Sequence, residues 1–418
     1  MRRFFKQLAI LAIFPLLARA TENFPPPEFR NGYQFPQSVN PGPRPELFLL
    51  LDVVMLALAL GLAAYFALKM RSRRHLQVLT IFSVLYFGFY RHGCVCAVGA
   101  LQNVAMAFGQ SDYALTFTIA AFFLLPLLAA LFFGRVFCAG VCPLGALQDL
   151  LLQRPVRLPA WLEHPLSLLP AVYLGAAVLF AATGSAFVIC MYDPFVSLFR
   201  LGGSLTMLLG GGVILLLAVF VGRPYCRFLC PYSVFLRALA PLAKWRMLIT
   251  RQGCVHCHLC AEACPFGAIR PPTPPSPPRE RFAGRWQLAA LLIALPLMVG
   301  VGGWLGRHGA GTLYRVHPSV QQAQAARQQD VGPFPLDPAS PNVALYRRAL
   351  AIHTQFVLGG MLFGAWIGLL IGGKLLALSL RRQRTEYEID QGACMACGRC
   401  YQVCPVERAG VAVPPVIT

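Results

Sequence analysis

The sequence predicts an all-α polytopic membrane protein of about seven transmembrane helices, joined to a small cytoplasmic α+β lobe that a helical hairpin splits in two. Three observations carry this. Hydrophobic residues make up 57% of the 418 and charged residues 12%, with a mean hydropathy of +0.60. A soluble domain has roughly twice that charged fraction. Apolar runs recur at the length needed to cross a bilayer, about 20 residues. The third observation is a pair of Cys-x2-Cys-x2-Cys-x3-Cys-Pro runs whose first cysteines lie 140 residues apart: Cys254, Cys257, Cys260, Cys264-Pro265 and Cys394, Cys397, Cys400, Cys404-Pro405.

The elements follow in order. Residues 1–20 read as a signal peptide or a retained signal anchor. Met1-Arg2-Arg3-Phe4-Phe5-Lys6 is a basic start, Leu8 to Leu17 is apolar but too short to span, and Ala18-Arg19-Ala20 fits a small-x-small cleavage site. Residues 21–46 are a short, proline-rich periplasmic segment. The transmembrane core, 47–245, holds expected spans at 47–68, 76–90, 114–133, 166–182 and 204–221. Residues 246–270 are the first half of the lobe, and 271–285 a Pro-rich linker with the stiffness of polyproline II. The hairpin, 286–376, consists of spans 286–304 and 350–376 around an outer loop, 305–349; the second half of the lobe is 377–418.

Charge orients the chain. The expected cytoplasmic segments (69–75, 134–165, 222–285 and 377–418, with Lys374) hold 23 Lys and Arg, the outer segments 9. That is the positive-inside bias of a multi-pass protein of the bacterial inner membrane, with a periplasmic N-terminus after signal cleavage and a cytoplasmic C-terminus. The net charge of +20 thus answers to orientation and anionic membrane lipid. A nucleic-acid partner is set aside, because there is no soluble basic domain to hold one.

Two crossings of the membrane bring both cysteine runs to the same side. A [4Fe–4S] cube needs four thiolates, and in the two-cluster ferredoxin pattern the fourth ligand of each run serves the other cluster. The expected sets are therefore Cys254, Cys257, Cys260 with Cys404, and Cys394, Cys397, Cys400 with Cys264, giving two [4Fe–4S] clusters in a ferredoxin-like lobe. Zinc knuckles use paired Cys-x2-Cys motifs instead. A disulfide framework needs an oxidising compartment. Cys254-Val255-His256-Cys257-His258 also fits a haem-attachment pattern, on the wrong side of the membrane.

Seven further cysteines are placed, not scattered. Cys138-x3-Cys142-Pro143 and Cys226-x3-Cys230-Pro231 fall at the cytoplasmic ends of spans; together they offer four thiolates for a further iron or iron–sulfur centre. Cys94, Cys96 and Cys190 fall at the opposite face as an outer redox site. Cys96-Ala97-Val98-Gly99-Ala100-Leu101-Gln102-Asn103 repeats as Cys142-Pro143-Leu144-Gly145-Ala146-Leu147-Gln148-Asp149, one span apart, as an inverted repeat would give. Free cysteine is also a small buried hydrophobe, which is the bland reading of all seven. A relay makes sense of them, because a hydrocarbon core of about 30 Å is too thick for one efficient electron hop. His92 and His353 near outer span ends are possible quinol contacts. Asp193 beside Cys190 is either an ion or proton site or an interfacial residue. No nucleophile–base pair suggests substrate chemistry in this chain, so it reads as an electron-transfer subunit rather than a stand-alone catalyst.

At these residues the chain resembles the polytopic iron–sulfur proteins of the NosR/NapH group. The resemblance rests on Gly93-Cys94-Val95-Cys96 with Gly99-Ala100-Leu101-Gln102-Asn103, and on Gly134-Arg135-Val136-Phe137-Cys138 running to Cys142-Pro143-Leu144-Gly145-Ala146. It extends through Cys190-Met191-Tyr192-Asp193-Pro194-Phe195 and Cys226 to Cys230-Pro231 to the two ferredoxin runs, covering roughly residues 75–410. It implies an inner-membrane carrier between a quinol or cytoplasmic donor and a periplasmic acceptor, serving a reductase as NosR-like proteins serve nitrous oxide reduction. NosR itself has a periplasmic FMN-binding domain. Here residues 21–46 precede the first span without a Ser/Thr-Gly-Ala-Thr-type motif, so a separate periplasmic flavoprotein, cytochrome or reductase is the expected partner. The rival class is a redox sensor or an accessory factor for metalloenzyme maturation.

Overall fold

The computed structural model describes residues 45–93, 96–202, 204–249, 254–273, 278–329, 341–380 and 384–408. The expected signal peptide, nearly all of the segment after it, and Cys94 lie outside these residues.

The membrane part begins with α1 (Glu46–Lys69) and α2 (Arg73–Ser83, continued by wider π-helical turns over Val84–Tyr90). Then come α3 (Ala97–Gly109), α4 (Phe117–Phe133), a π-helical turn at Phe137–Val141, and α5 (Pro143–Leu151). They are followed by α6 (Ala160–Ala182), α7 (Val188–Tyr192), α8 (Pro194–Arg200), α9 (Leu205–Ala218), α10 (Pro224–Phe228) and α11 (Tyr232–Leu242).

Among the described residues, α1, α6 and the two hairpin helices are the four helices long and apolar enough to cross a bilayer; the bent pair α8–α9 makes a fifth if it is one span. The sequence led us to expect seven. The expected span 114–133 is α4, whose 17 residues give about 26 Å of helix, short of a hydrocarbon core of about 30 Å. The expected span 76–90 lies in α2, which opens on Arg73, Arg74 and His75. Two shorter apolar helices outside the expected spans, α3 and α11, pack each against α4 and α6. Their apolar runs are too short to signal a span. Even so, α3 buries Ala97, Val98, Ala100, Leu101, Gln102 and Ala105.

Charges inside this bundle are matched. Asp52 of α1 meets Arg91 at 2.6 Å, both nearly inaccessible, and Asp52 also accepts a hydrogen bond from Tyr86 Oη at 3.0 Å. Ionisable groups at membrane depth are costly unless paired, so this pair ties α1 to the end of α2.

The hairpin is α13 (Pro278–Leu313) and α15 (Pro341–Ser379), with α14 (Pro318–Gln329) between them; α12 (Leu259–Ala263) precedes it in the lobe. Its helices touch backbone to backbone through small residues four apart. A Cβ on Gly306 would stand 2.0 Å from Gly360 O, and one on Gly364 2.0 Å from Gly302 O. Hydrophobic burial between helices vanishes in lipid, so close packing of this kind is what joins them. The hairpin leans on α6 through Trp366 Nε1, which donates to Ala171 O at 2.9 Å, and Lys374 Nζ, which donates to Ser167 Oγ at 2.9 Å.

The two halves of the lobe meet below it. Strand β1 (Ile269–Arg270) pairs antiparallel with β2 (Glu388–Ile389), Ile269 opposite Ile389 and Arg270 opposite Glu388. Asp390 N donates to Ala268 O at 2.8 Å, and Thr273 N to Arg384 O at 3.0 Å, extending the join on both sides. The second half ends in α16 (Arg399–Val403) and α17 (Pro405–Arg408).

Candidate metal centres

Each cysteine run is a loop followed by one short helix, α12 or α16. In both loops the residues two and four places after the first cysteine have left-handed backbone: His256 and His258 in one, Ala396 and Gly398 in the other, with φ between +49° and +72°. Gly398 adopts that shape freely; at the other three it costs on the order of 1–3 kcal/mol. The shape turns backbone N–H groups toward sulfur, so that Ala396 N–H bonds Cys394 and Arg399 N–H bonds Cys397.

The eight thiols fall into two sets. Cys254, Cys257, Cys260 and Cys404 line one cavity, together with His256, His258 and Tyr387. Cys264, Cys394, Cys397 and Cys400 line a second. Cys400 reaches the wall of both. Among the described residues no group of three or more His, Cys, Asp or Glu side chains is set to hold a single metal ion. Thiols spread round a cavity and met by backbone N–H groups suit a multi-iron cluster instead. Burial pushes the Cys394 thiol up to about 12; loading metal there therefore expels a proton. Tyr387, from the second half, hydrogen-bonds His258 of the first and closes the first cavity.

The lobe is held to the membrane part by arginines. Arg73 Nη1 donates to Cys397 O at 3.0 Å, Arg135 Nη1 to Gly392 O at 2.9 Å, and the Arg71 guanidinium lies 4.8 Å over the Tyr401 ring. At the centre is Asp149, whose carboxylate meets Arg73 at 3.2 Å, Arg223 at 3.5 Å and Arg399 at 3.5 Å. Burial alone would raise the Asp149 carboxyl, but these three guanidiniums outweigh it and hold it below the ordinary carboxylate value.

Above Asp149 lie the four inner thiols, all buried: Cys138 and Cys142 from the turn leading into α5, Cys226 in α10 and Cys230 just after it. The two motifs meet at Gly145, where a Cβ would stand 3.3 Å from Cys226 Sγ and 3.5 Å from Cys138 O. Fully buried Arg223 fixes this set by donating to Cys138 O and, at 3.0 Å, to Ala139 O. Gln148 Nε2 lies 3.8 Å from Cys226 Sγ, and Arg135 Nη2 3.9 Å from Cys138 Sγ. Cationic and amide donors aimed at sulfur favour thiolate over thiol. Asp149 links Arg223, which binds the carbonyls of Cys138 and Ala139, to Arg73, which binds Cys397 O of the lobe.

Sequence reasoning found the thiols and missed this setting. Arg73, Arg135, Asp149, Arg223 and Arg399 were not singled out. One signal was present: both Cys-x3-Cys-Pro motifs are preceded by Gly-Arg-x-x, at Gly134-Arg135 and Gly222-Arg223. Elsewhere in the membrane part, Cys96 and Cys190 line one cavity of about 290 Å³ with Asp193 and His92. His353 is not among that cavity's lining residues; its ring packs edge-on against Tyr314 at 4.8 Å in the hairpin region.

Comparison with known proteins agrees with this division. A family model described as a 4Fe-4S binding domain matches residues 115–160 and 204–248, which take in the four inner thiols. A second model of the same description matches residues 249–270 and 387–407, the two halves of the lobe. The chain is 29% identical over 153 residues to YccM of Escherichia coli (strain K12), covering 32% of this chain and 43% of that one. It is 31% identical over 207 residues to the Regulatory protein NosR of Pseudomonas aeruginosa, covering 46% of this chain and 29% of that one. With the Protein NirI of Paracoccus denitrificans it shares 32% identity over 157 residues, 34% of this chain and 23% of the other. The matched part thus spans less than half the length of each of these three relatives. No solved structure matches. By its relatives and its matches to two 4Fe-4S binding domain models, the chain is similar to the NosR/NirI-type membrane ferredoxin-like proteins.

Proposed function

We propose that this protein is an inner-membrane iron–sulfur electron carrier, passing single electrons between its cytoplasmic lobe and an acceptor on the periplasmic side. Cys254, Cys257, Cys260 and Cys404 hold one [4Fe–4S] cluster; Cys394, Cys397, Cys400 and Cys264 hold the other. Cys138, Cys142, Cys226 and Cys230 hold a third iron–sulfur centre. A continuous chain of contacts carries this reading: Arg73 donates to Cys397 O of the second lobe set and pairs with Asp149, and Asp149 pairs with Arg223, which donates to Cys138 O and Ala139 O beside the inner thiols. Cys400, on the wall of both lobe cavities, links the first cluster to the second. When bound, the clusters supply the one-electron chemistry. The chain's own residues hold the cysteines, exclude water from the inner thiols and present guanidinium charge between successive sets.

The donor in this reading is a quinol or a cytoplasmic reductant, and the acceptor serves a periplasmic respiratory reductase such as nitrous oxide reductase. The test is anaerobic purification with iron and sulfide quantification and EPR. Two cubes alone give eight irons per chain by their formula. The proposal expects more than eight, falling to about eight when all four inner cysteines are replaced. An unchanged iron count in that variant removes the inner centre. The printed name of the NosR relatives, Regulatory protein, favours a second reading as a redox sensor or maturation factor. Reduction of the centres with no electron delivery to any outer acceptor would favour that reading.

A further inference from the structure

We propose that Cys96, Cys190 and Asp193 form a second thiolate–iron site, opening toward the periplasmic side, built by the same half-fold as the inner thiols and placed to exchange one electron with them. The proposal rests on reading the inner thiols as an iron site. It adds a centre in the half of the membrane part that neither family match covers, residues 73–109 and 169–200.

The two halves share one layout, with offsets of a single residue. Helix α3 starts at Cys96 and packs on α6 and α7; helix α5 starts at Cys142 and packs on α9 and α10. Three residues into each helix is a glycine whose missing side chain leaves room for a sulfur. A Cβ on Gly99 would stand 3.7 Å from Cys190 Sγ, and one on Gly145 3.3 Å from Cys226 Sγ. Six residues in is a fully buried glutamine that grips the backbone beside that same cysteine. Gln102 Oε1 accepts from Cys190 N at 3.1 Å, and Gln148 Oε1 accepts from Tyr225 N at 3.0 Å. Cys190 thus occupies the place of Cys226, and Cys96 that of Cys142. Asp193-Pro194 stands where the inner half has Cys230-Pro231, one residue nearer its cysteine.

The two buried glutamines differ in one respect. Gln148 Nε2 donates to Leu144 O and faces Cys226 Sγ. Its counterpart, Gln102 Nε2, is wholly buried beside Cys190 and has no hydrogen-bond partner. Asp193 lines the same cavity as both thiols, and that cavity, about 290 Å³ in all, has room for more than one bare ion. Asp193 Oδ1 accepts from Phe195 N at 3.0 Å and Oδ2 from Tyr225 Oη at 3.1 Å. A carboxylate offers about four lone-pair sites, so it can cap α8 and still bind metal.

The two sites are neighbours. Leu144, two residues after Cys142, lines the outer cavity, and the Asp193–Tyr225 hydrogen bond ends one residue from Cys226. The step is a simple exchange: the reduced inner centre gives up one electron and is oxidised, the outer centre takes that electron and is reduced, and no bond is made or broken. An oxidised one-electron carrier outside then accepts it.

The test uses the full chain, purified anaerobically, with metal analysis and EPR during dithionite titration. The variant C96A/C190A should lose iron relative to the wild type while keeping the lobe signals. D193N preserves the helix cap through its amide oxygen but removes the charge; it should shift one midpoint potential upward or lower the iron content. D193C should retain the iron and move that potential down. If C96A/C190A and D193N both keep the wild-type iron count and spectra, the outer site does not exist. Zinc in place of iron would equally overturn it. Loss of iron in the inner quadruple variant but not in C96A/C190A would refute this proposal alone; no loss in the inner quadruple variant would refute the inner centre itself.

Discussion

Asp149→Asn tests the docking of the lobe. The Asp149 side chain is 4% exposed and meets Arg73, Arg223 and Arg399 within 3.5 Å. Removing its charge leaves three close, largely buried guanidiniums facing one another. Breaking a buried ion pair on one side costs about 3–5 kcal/mol, which is roughly a 10²- to 10⁴-fold shift in an equilibrium. Arg73 and Arg399 belong to the contact with the lobe, so most of that cost should appear as opening of the lobe from the membrane part. Hydrogen exchange on residues 384–408 in detergent reads this directly, as protection lost by that factor. Arg270→Ala is the control. It removes a pair with Asp390 whose side chains are 49% and 36% exposed, and exposed pairs contribute about 0–1 kcal/mol, so protection should change by less than about sixfold. If Asp149→Asn changed protection no more than Arg270→Ala does, the arginine cluster would not be what holds the lobe.

Lobe docking should also depend on pH in one direction. The folded Asp149 carboxyl is held below its ordinary value, so its contribution is complete above the ordinary carboxylate range and is lost as pH falls through the lower folded value. Protection of the lobe should thus stay flat from pH 8 to about pH 5 and drop only in stronger acid; a decline near neutrality would contradict this. Cys404→Ala should damage the cluster of Cys254, Cys257 and Cys260, and Cys264→Ala the other, as seen by EPR; if Cys404→Ala matched Cys397→Ala instead, each run would hold its own cube. Gly306→Leu should separate α13 from α15, since even a Cβ there meets Gly360 O at 2.0 Å; an unchanged thermal midpoint in detergent would show that the backbone contact is dispensable. Cysteine labelling should reach residues 305–349 from outside and the 384–408 lobe from inside; labelling of both from one side would remove the membrane-crossing hairpin.

Some of this protein was legible in one dimension because the relevant physics is local. Metal-ligand spacing is written in consecutive residues, so the two ferredoxin runs, the two Cys-x3-Cys-Pro motifs and the repeat from Cys96 and Cys142 could be read directly. Apolar length and Lys/Arg placement likewise announce a membrane protein. Span number was less legible, because a 17-residue apolar helix such as α4 and a 13-residue one such as α3 have the composition of a span without its full length. What holds the sites was legible only in the Gly-Arg pairs that precede the two Cys-x3-Cys-Pro motifs. Asp149 gathers Arg73, Arg223 and Arg399 from three distant segments, and Gly302, Gly306, Gly360 and Gly364 have meaning as two helices in contact. The sequence by itself determined which atoms can bind metal. The tertiary structure decided which of them face each other, because burial, the compensation of charge in a low-dielectric interior and close helix contact depend on partners far apart along the chain.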